Sequence, residues 1–139
     1  MGDQDSTVKQ EARIKKDGTA RKRLGAQGEQ FAVDYLGRQG ITVLDRNWRC
    51  RSGEADIVAR EDDAVAFIEV KTRASLSAGL PEEAVTREKR RKYEGIAVYY
   101  LASHALPSLR VRFDVISVIV VEEGRAFLRH HRDAYCAGE

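Results

Sequence analysis

Two acidic residues lie within apolar stretches that are typical of β-strands, and this placement constrains the fold more than any other feature. Asp56 lies in the stretch 55–59 and Glu69 in the stretch 65–71, with twelve residues between them. A charged side chain buried in a strand is unfavourable unless it is paired or coordinates a metal. Because side chains alternate along a strand, Glu69 and Lys71 share one face. If the two strands are neighbours, we expect Asp56, Glu69 and Lys71 to converge on one point.

Two carboxylates and an ammonium group suit metal-assisted attack on a phosphodiester. Carboxylate oxygens bind hard cations such as Mg²⁺, and the cation activates water and stabilises negative charge. A lysine beside them can orient the nucleophile or hold the phosphate. The alternative is a buried ion pair with one additional carboxylate, which seldom offsets its own desolvation. The pattern therefore favours a metal-dependent site that acts on phosphodiesters.

The chain of 139 residues has the length of one ordinary domain. Residues 1–22 are polar and contain only two sizeable apolar residues, which predicts a disordered, mildly basic N-terminal arm. The folded domain is predicted over residues 23–139. Its first helix is indicated by apolar residues at helical spacing from Leu24 to Leu36, and Gly40 is a suitable stop.

The remaining elements predict an α/β fold with the order αβββαββ. Short polar links between the first three strands favour an antiparallel meander. Thr86 is predicted to cap a second helix that ends near Ser103. This helix acts as a crossover, so the strand after it lies parallel to the Glu69 strand in a mixed sheet. The predicted strands are residues 41–48, 54–60, 64–73, 111–121 and 125–130.

Basic residues are concentrated in three segments, although the formal net charge is only +2. The segments are residues 21–23, 46–51 and 87–92. Helical spacing places Lys89 on the same side as the core residue Tyr93, and therefore towards the sheet. A solvated helix face is the alternative for this segment. Trp48, between arginines, could stack on an unpaired base, but a place in the core is preferred.

The sequence predicts a cytoplasmic protein with no membrane partner. No apolar run approaches the roughly 20 residues of a membrane span, and residues 1–16 lack the apolar stretch of a signal peptide. Cys50 and Cys136 show neither zinc-site nor disulfide-framework spacing.

Several motifs occur together in the chain after about Leu24. They are Gly28-Glu29, Arg46-Asn47-Trp48-Arg49, Gly53-Glu54-Ala55-Asp56-Ile57, Phe67-Ile68-Glu69-Val70-Lys71-Thr72-Arg73 and Arg112-Phe113-Asp114-Val115. With these motifs the sequence resembles the YraN-like family of predicted endonucleases, which is related to archaeal Holliday junction resolvases in the restriction-endonuclease-like PD-(D/E)xK superfamily. The resemblance implies a restriction-endonuclease-like, nuclease-like domain, although Ala55 replaces the proline of the superfamily motif.

The resemblance implies roles for individual residues. Asp56 and Glu69 would bind Mg²⁺ or Mn²⁺ together with the main-chain carbonyl of Val70. Lys71 would be the catalytic lysine. Glu29 would be a carboxylate on the first helix beside the metal.

The resemblance also implies DNA, in a branched or otherwise structured form, as the substrate. Ser52 would lie near the scissile phosphate. Paired incisions across a junction need two sites related by a two-fold axis, so a homodimer is expected on such a substrate. Its candidate surface is the last strand with Val118 and Val120. Phosphate contacts, which carry no sequence information, are expected from Arg46, Arg49, Arg51, Lys89 and Lys92.

Two alternatives to a nuclease remain open at this point. The same fold could bind nucleic acid without cutting it, although such a module has no need of costly buried carboxylates. The chain could also be an adaptor for another protein, with its basic segments incidental. A steep loss of DNA affinity with added salt would count against the adaptor.

Overall fold

The computed structural model describes residues 3–74, 86–106, 109–122 and 124–134, and side chains from residue 18 onward. The element order is αβββαββ, as the sequence predicts, in a mixed α/β arrangement consistent with a restriction-endonuclease-like fold. The elements are α1 (Asp3–Arg38), β1 (Thr42–Cys50), β2 (Gly53–Glu61), β3 (Ala64–Arg73), α2 (Arg87–His104), β4 (Arg110–Glu122) and β5 (Arg125–His131).

The helix α1 starts much earlier than the sequence suggests. It begins at Asp3 and runs through most of the segment 1–22, for which a disordered arm is predicted. That segment contains no proline, and Lys, Arg, Ala and Gln make up ten of its residues; these residue types have high helix propensity. The helix that packs on the sheet therefore continues towards the N-terminus, where residues 18–23 are exposed.

The five strands form one sheet in the order β1-β2-β3-β4-β5. The pairs β1–β2, β2–β3 and β4–β5 are antiparallel, whereas β3 and β4 are parallel. The predicted meander and crossover are therefore confirmed. The hydroxyl of Thr86 accepts a hydrogen bond from the Lys89 N–H at 3.1 Å, which confirms the predicted cap of α2.

The helix α1 covers one face of the sheet. Leu36 is fully buried there against Ile57, Ile68 and other aliphatic strand residues; burial of such a side chain contributes about 1.5–3 kcal/mol. Val118 and Val120 lie in the same cluster and are 0% and 8% exposed. The prediction that these valines contribute to a dimer surface is wrong, because α1 covers their face of β4.

The helix α2 covers the other face and packs mainly on β2 and β1. Its buried stripe includes Tyr93, the core residue that the sequence predicts, together with Ile96 and Tyr100. Trp48 meets Tyr100 edge to face, with ring centroids 5.0 Å apart. Trp48 therefore packs in this core, which is the alternative that the sequence favours.

A buried polar cluster joins α1, β4 and β5. Asp114 is 1% exposed and accepts two hydrogen bonds from the Arg112 guanidinium, at 2.9 and 3.0 Å. His130 bonds to the same carboxylate at 2.9 Å through Nε2, and its Nδ1 bonds to the Tyr35 hydroxyl at 2.9 Å. Arg112 and Asp114 therefore form a structural ion pair within this cluster. Neither helix described here combines the length and apolarity needed to cross a membrane.

Candidate functional site

The regular alternation of side chains between the two sheet faces is interrupted at one position of β1 and β2. This interruption orients Asp56. On β2, Ala55 packs under α2 whereas Ile57 packs under α1. Residues two apart share a face in a regular strand, so the strand turns at Asp56. On β1, Asn47 has a φ of 50°, a left-handed conformation that asparagine adopts more readily than most residues. The strand register pairs residues on both sides of Asn47 and Asp56 but not these two.

The side chain of Asp56 bridges the point where β2 and β3 stop pairing. The pairing of the two strands ends at Ile57 and Ile68. Beyond it, the Val70 N–H donates a hydrogen bond to Oδ2 of Asp56 at 2.8 Å. The carboxylate therefore takes the place of a main-chain acceptor on β2. It lies against the segment 69–71, so the two predicted acidic strands do meet.

A close approach of α1 to β3 brings Glu29 to the same region. A Cβ added at Gly28 would collide with the Thr72 side chain, so the helix backbone lies directly on the end of β3. Glu29 follows Gly28, and its Oε2 accepts a hydrogen bond from Nδ2 of Asn47 at 3.2 Å. The glycine thus allows a helix-borne carboxylate to approach the end of the strand.

Asp56 lies in a site with excess negative charge. Burial is the largest cause that raises its pKa from 3.8 to about 6, and the hydrogen bond from Val70 opposes this rise. The carboxylates of Glu29, Glu69 and Glu54 raise the pKa further through repulsion. Such a cluster is stabilised by a cation that neutralises it.

The residues present fit a magnesium-type ion with a small number of protein ligands. The described residues contain no ready-made group of three or more His, Cys, Asp or Glu side chains that could hold a metal. Mg²⁺ commonly keeps several waters and is bound through one or two carboxylates together with substrate phosphates. Asp56 and Glu69, with the carbonyl of Val70, supply a donor set of that size and hardness.

Lys89 contacts one of the two carboxylates directly. Its Nζ lies 3.4 Å from Oε1 of Glu69, and the two side chains are 35% and 21% exposed. The prediction that Lys89 leans towards the sheet is therefore confirmed. Lys71 follows Glu69 by two positions on β3 and shares its strand face. Two cationic side chains thus lie on the α2 side of the site.

The turn between β1 and β2 docks on α2. A Cβ added at Gly95 would collide with the Ser52 side chain, and the Lys92 side chain packs on Gly53. Gly53 has a φ of 138°, which other residues rarely adopt. Ser52 and Lys92 therefore lie on one surface, about one helical turn from Lys89.

The three arginines of the second basic segment do not form a single patch. Arg46 donates a hydrogen bond to Oε1 of Gln30 on α1 at 3.2 Å. Arg49 pairs with Glu54 at 3.3 Å, and Arg51 is exposed in the turn. Exposed pairs of this kind contribute little to stability, so Arg49 can exchange Glu54 for a phosphate at low cost.

Sequence reasoning assigned no role to Asn47 and Glu54. Asn47 bonds to Glu29, and Glu54 raises the pKa of Asp56. The role of Asn47 could have been suspected from an asparagine within a predicted strand, since asparagine favours turns and left-handed conformations. The available signal for Glu54 was its position two residues before Asp56.

Comparison with known proteins identifies the family. The family model described as "Uncharacterised protein family UPF0102" matches residues 28–118. A UPF0102 protein of Rhodococcus opacus is 44% identical over 112 residues, which cover 81% of this chain and 95% of the relative. One of Kineococcus radiotolerans is 48% identical over 112 residues, covering 80% and 92%. One of Dictyoglomus thermophilum is 39% identical over 104 residues, covering 75% and 88%. The chain therefore belongs to the UPF0102 family, and the resemblance to YraN-like proteins is confirmed.

Proposed function

We propose that this UPF0102 protein is a Mg²⁺- or Mn²⁺-dependent endonuclease that hydrolyses phosphodiester bonds of branched or otherwise structured DNA in the cytoplasm. One observation carries the proposal: the Asp56 carboxylate is held on the Val70 N–H, beside Glu69, and has a pKa of about 6. A partly buried acid surrounded by other acids lowers the stability of the fold. Groups with such perturbed pKa values concentrate at functional sites.

Asp56, Glu69 and the Val70 carbonyl would hold the ion. The ion would neutralise negative charge at the phosphate and would lower the pKa of a bound water. Lys71 would orient the attacking water in line with the P–O bond that breaks. Cleavage would leave a 5′-phosphate and a 3′-hydroxyl. Glu29 would add negative charge beside the ion from α1.

Phosphates on either side of the scissile bond would be held by the cations around the site. Lys89 is already within ion-pair distance of Glu69, and Lys92 lies at the docked turn with Ser52. Arg46, Arg49 and Arg51 would contact phosphates on the β1 side. Because phosphate contacts carry no sequence information, we expect selection by DNA shape.

A homodimer is proposed for a branched substrate, since paired incisions need two sites. The edge strand β5 is the remaining candidate surface, and its Phe127 is 55% exposed. Sedimentation with and without four-way-junction DNA tests this: a dimer is expected on the junction, and a monomer in both conditions would contradict it.

The direct test of function is a cleavage assay on single-stranded, duplex, flap and four-way-junction DNA. We expect cleavage with Mg²⁺ or Mn²⁺ and none in excess chelator, with a preference for a structured substrate. Salt-sensitive binding to all four DNAs without cleavage would instead favour the non-catalytic binding module. Absence of both binding and cleavage would favour the protein adaptor.

A further inference from the structure

An open cleft lies between α1 and the end of β3, and neither the metal site nor the α2 surface includes it. Its volume is about 630 Å³. It is lined by Ala20, Arg21, Arg23, Leu24, Gln27 and Ala74.

Residues that line the cleft lie close along the chain to residues of the candidate site. Ala74 directly follows β3 and lies three positions beyond Lys71. On the helix wall, Gln27 precedes Gly28, whose backbone packs on Thr72. At 1.5 Å per residue, Arg21 lies about 12 Å from Glu29 along the axis of α1. The cleft therefore lies beside the Gly28–Thr72 contact, on its N-terminal side along α1.

The charge of the cleft is complementary to a phosphate backbone. Arg21 and Arg23 line it, and the adjacent Lys22 is exposed. Within the described part of the chain, no ion pair joins Arg21 or Arg23 to a carboxylate. Arginine donors that are not engaged by acids can bind phosphate without first breaking a pair.

A nucleic-acid strand that crosses this site carries negative phosphates on both sides of the acids, so cations on both sides would hold it. Lys89 and Lys92 supply them on the α2 side of the sheet. On the α1 side, Glu29 places negative charge against the end of β3. The nearest basic residues described further along this helix wall are Arg21 and Arg23, so they are placed to offset repulsion between the acids and an incoming backbone.

We propose that this cleft is a phosphate-binding subsite for the nucleic-acid strand that enters the candidate site. The distance of about 12 Å corresponds to roughly three to four nucleotides at 3.4 Å per nucleotide of duplex. Arg23 and Arg21, which lie about 9 and 12 Å from Glu29 along the axis of α1, bind backbone phosphates a few nucleotides from the bond that is cut. The spacing between the subsite and the bond that is cut rests on the proposed function. Binding of DNA by the subsite can be measured separately from cleavage.

The test compares DNA binding by the Arg21→Ala/Arg23→Ala variant with that of the wild-type full chain, by fluorescence anisotropy in chelator across a salt series. Each phosphate contact contributes about 0.9 to the slope of log affinity against log salt for duplex DNA. We expect the slope to fall by about 1.8 and the affinity to fall several-fold on every DNA structure. The Arg21→Lys/Arg23→Lys variant should keep most of the slope.

A matched control removes two exposed arginines at the opposite end of the sheet, in Arg60→Ala/Arg110→Ala. We expect this variant to keep the wild-type slope, since neither residue lies near the cleft. An unchanged slope and affinity in Arg21→Ala/Arg23→Ala, with wild-type protein that binds and cuts DNA, would overturn the subsite alone. Equal losses in both double variants would also overturn it. Wild-type protein that binds no DNA would overturn both the subsite and the proposed function.

Discussion

The main-chain N–H of Val70 donates a hydrogen bond of 2.8 Å to the carboxylate of Asp56. This contact fixes the acid of β2 against the acidic segment of β3 where the two strands stop pairing. It also lowers the pKa of Asp56, but burial and three neighbouring carboxylates raise it to about 6. The site is therefore held in place by the backbone while its charge remains unfavourable.

Asp56→Asn should raise the free energy of unfolding at neutral and alkaline pH when no divalent ion is present. The pKa of Asp56 is about 6 in the folded protein against 3.8 ordinarily. The folded state therefore binds more protons between these values, and its stability falls as pH rises through that window. Asparagine removes this penalty and can still accept the Val70 hydrogen bond.

Chemical denaturation in chelator, at about pH 4 and about pH 8, measures this effect. The gain from Asp56→Asn should be larger at the higher pH. A variant less stable than wild type at both values would show that Asp56 is an ordinary structural carboxylate.

Binding of Mn²⁺ should strengthen as pH rises through about 6. A proton on Asp56 competes with the metal, because carboxylate ligands bind in their deprotonated form. Calorimetric titration at about pH 5 and about pH 7.5 measures the difference. Asp56→Asn should remove the binding, whereas Asp34→Asn, on an exposed part of α1, should not. An unchanged isotherm in Asp56→Asn would exclude Asp56 as a ligand.

Lys89→Ala/Lys92→Ala should weaken binding to all DNA structures about equally. It should lower the slope of log affinity against log salt by roughly one to two, since each lost phosphate contact contributes about 0.9. Arg87→Ala/Arg91→Ala is the matched control, because it removes the same charge from exposed positions of the same helix. A loss confined to one DNA structure would mean that the lysines read shape, and no loss would make them a solvated helix face.

Asp114→Asn should destabilise the protein without a direct effect on the candidate site. Burial alone would raise the pKa of Asp114, but hydrogen bonds from His130, Arg112 and the Asp133 N–H lower it overall. Removing one partner of a buried ion pair typically costs about 3–5 kcal/mol.

The pH dependence of this loss has a defined sign. Because the folded pKa of Asp114 is lowered, its contribution is present above the ordinary pKa and is lost as pH falls through the folded value. Unfolding of Asp114→Asn and of the exposed control Asp63→Asn, at neutral and acid pH, measures both effects. Equal stability of the two variants at neutral pH would contradict the role of Asp114.

The sequence was sufficient to predict which strands carry the site, but not which face of the sheet each side chain points to. Short links and apolar patterning correctly predicted the meander and the parallel crossover, and helical spacing correctly predicted the position of Lys89. The turn at Asn47 and Asp56 was not predicted, because it depends on two irregular residues on adjacent strands that the strand pairing skips. The face of Val118 and Val120 was also missed, since strand composition does not show which face a distant helix covers. The early start of α1 was missed because polar composition suits both disorder and an exposed helix.

Lys71 is proposed to act on the reaction within a nuclease site built from Asp56 and Glu69. The most direct measurement is the single-turnover cleavage rate of Lys71→Ala with Mn²⁺ on the DNA that wild-type protein cuts best, with DNA affinity measured in chelator. We expect the rate to fall by at least about a hundredfold, with DNA affinity and fold nearly unchanged. Cleavage by Lys71→Ala at the wild-type rate would contradict the assignment of nuclease activity to this site.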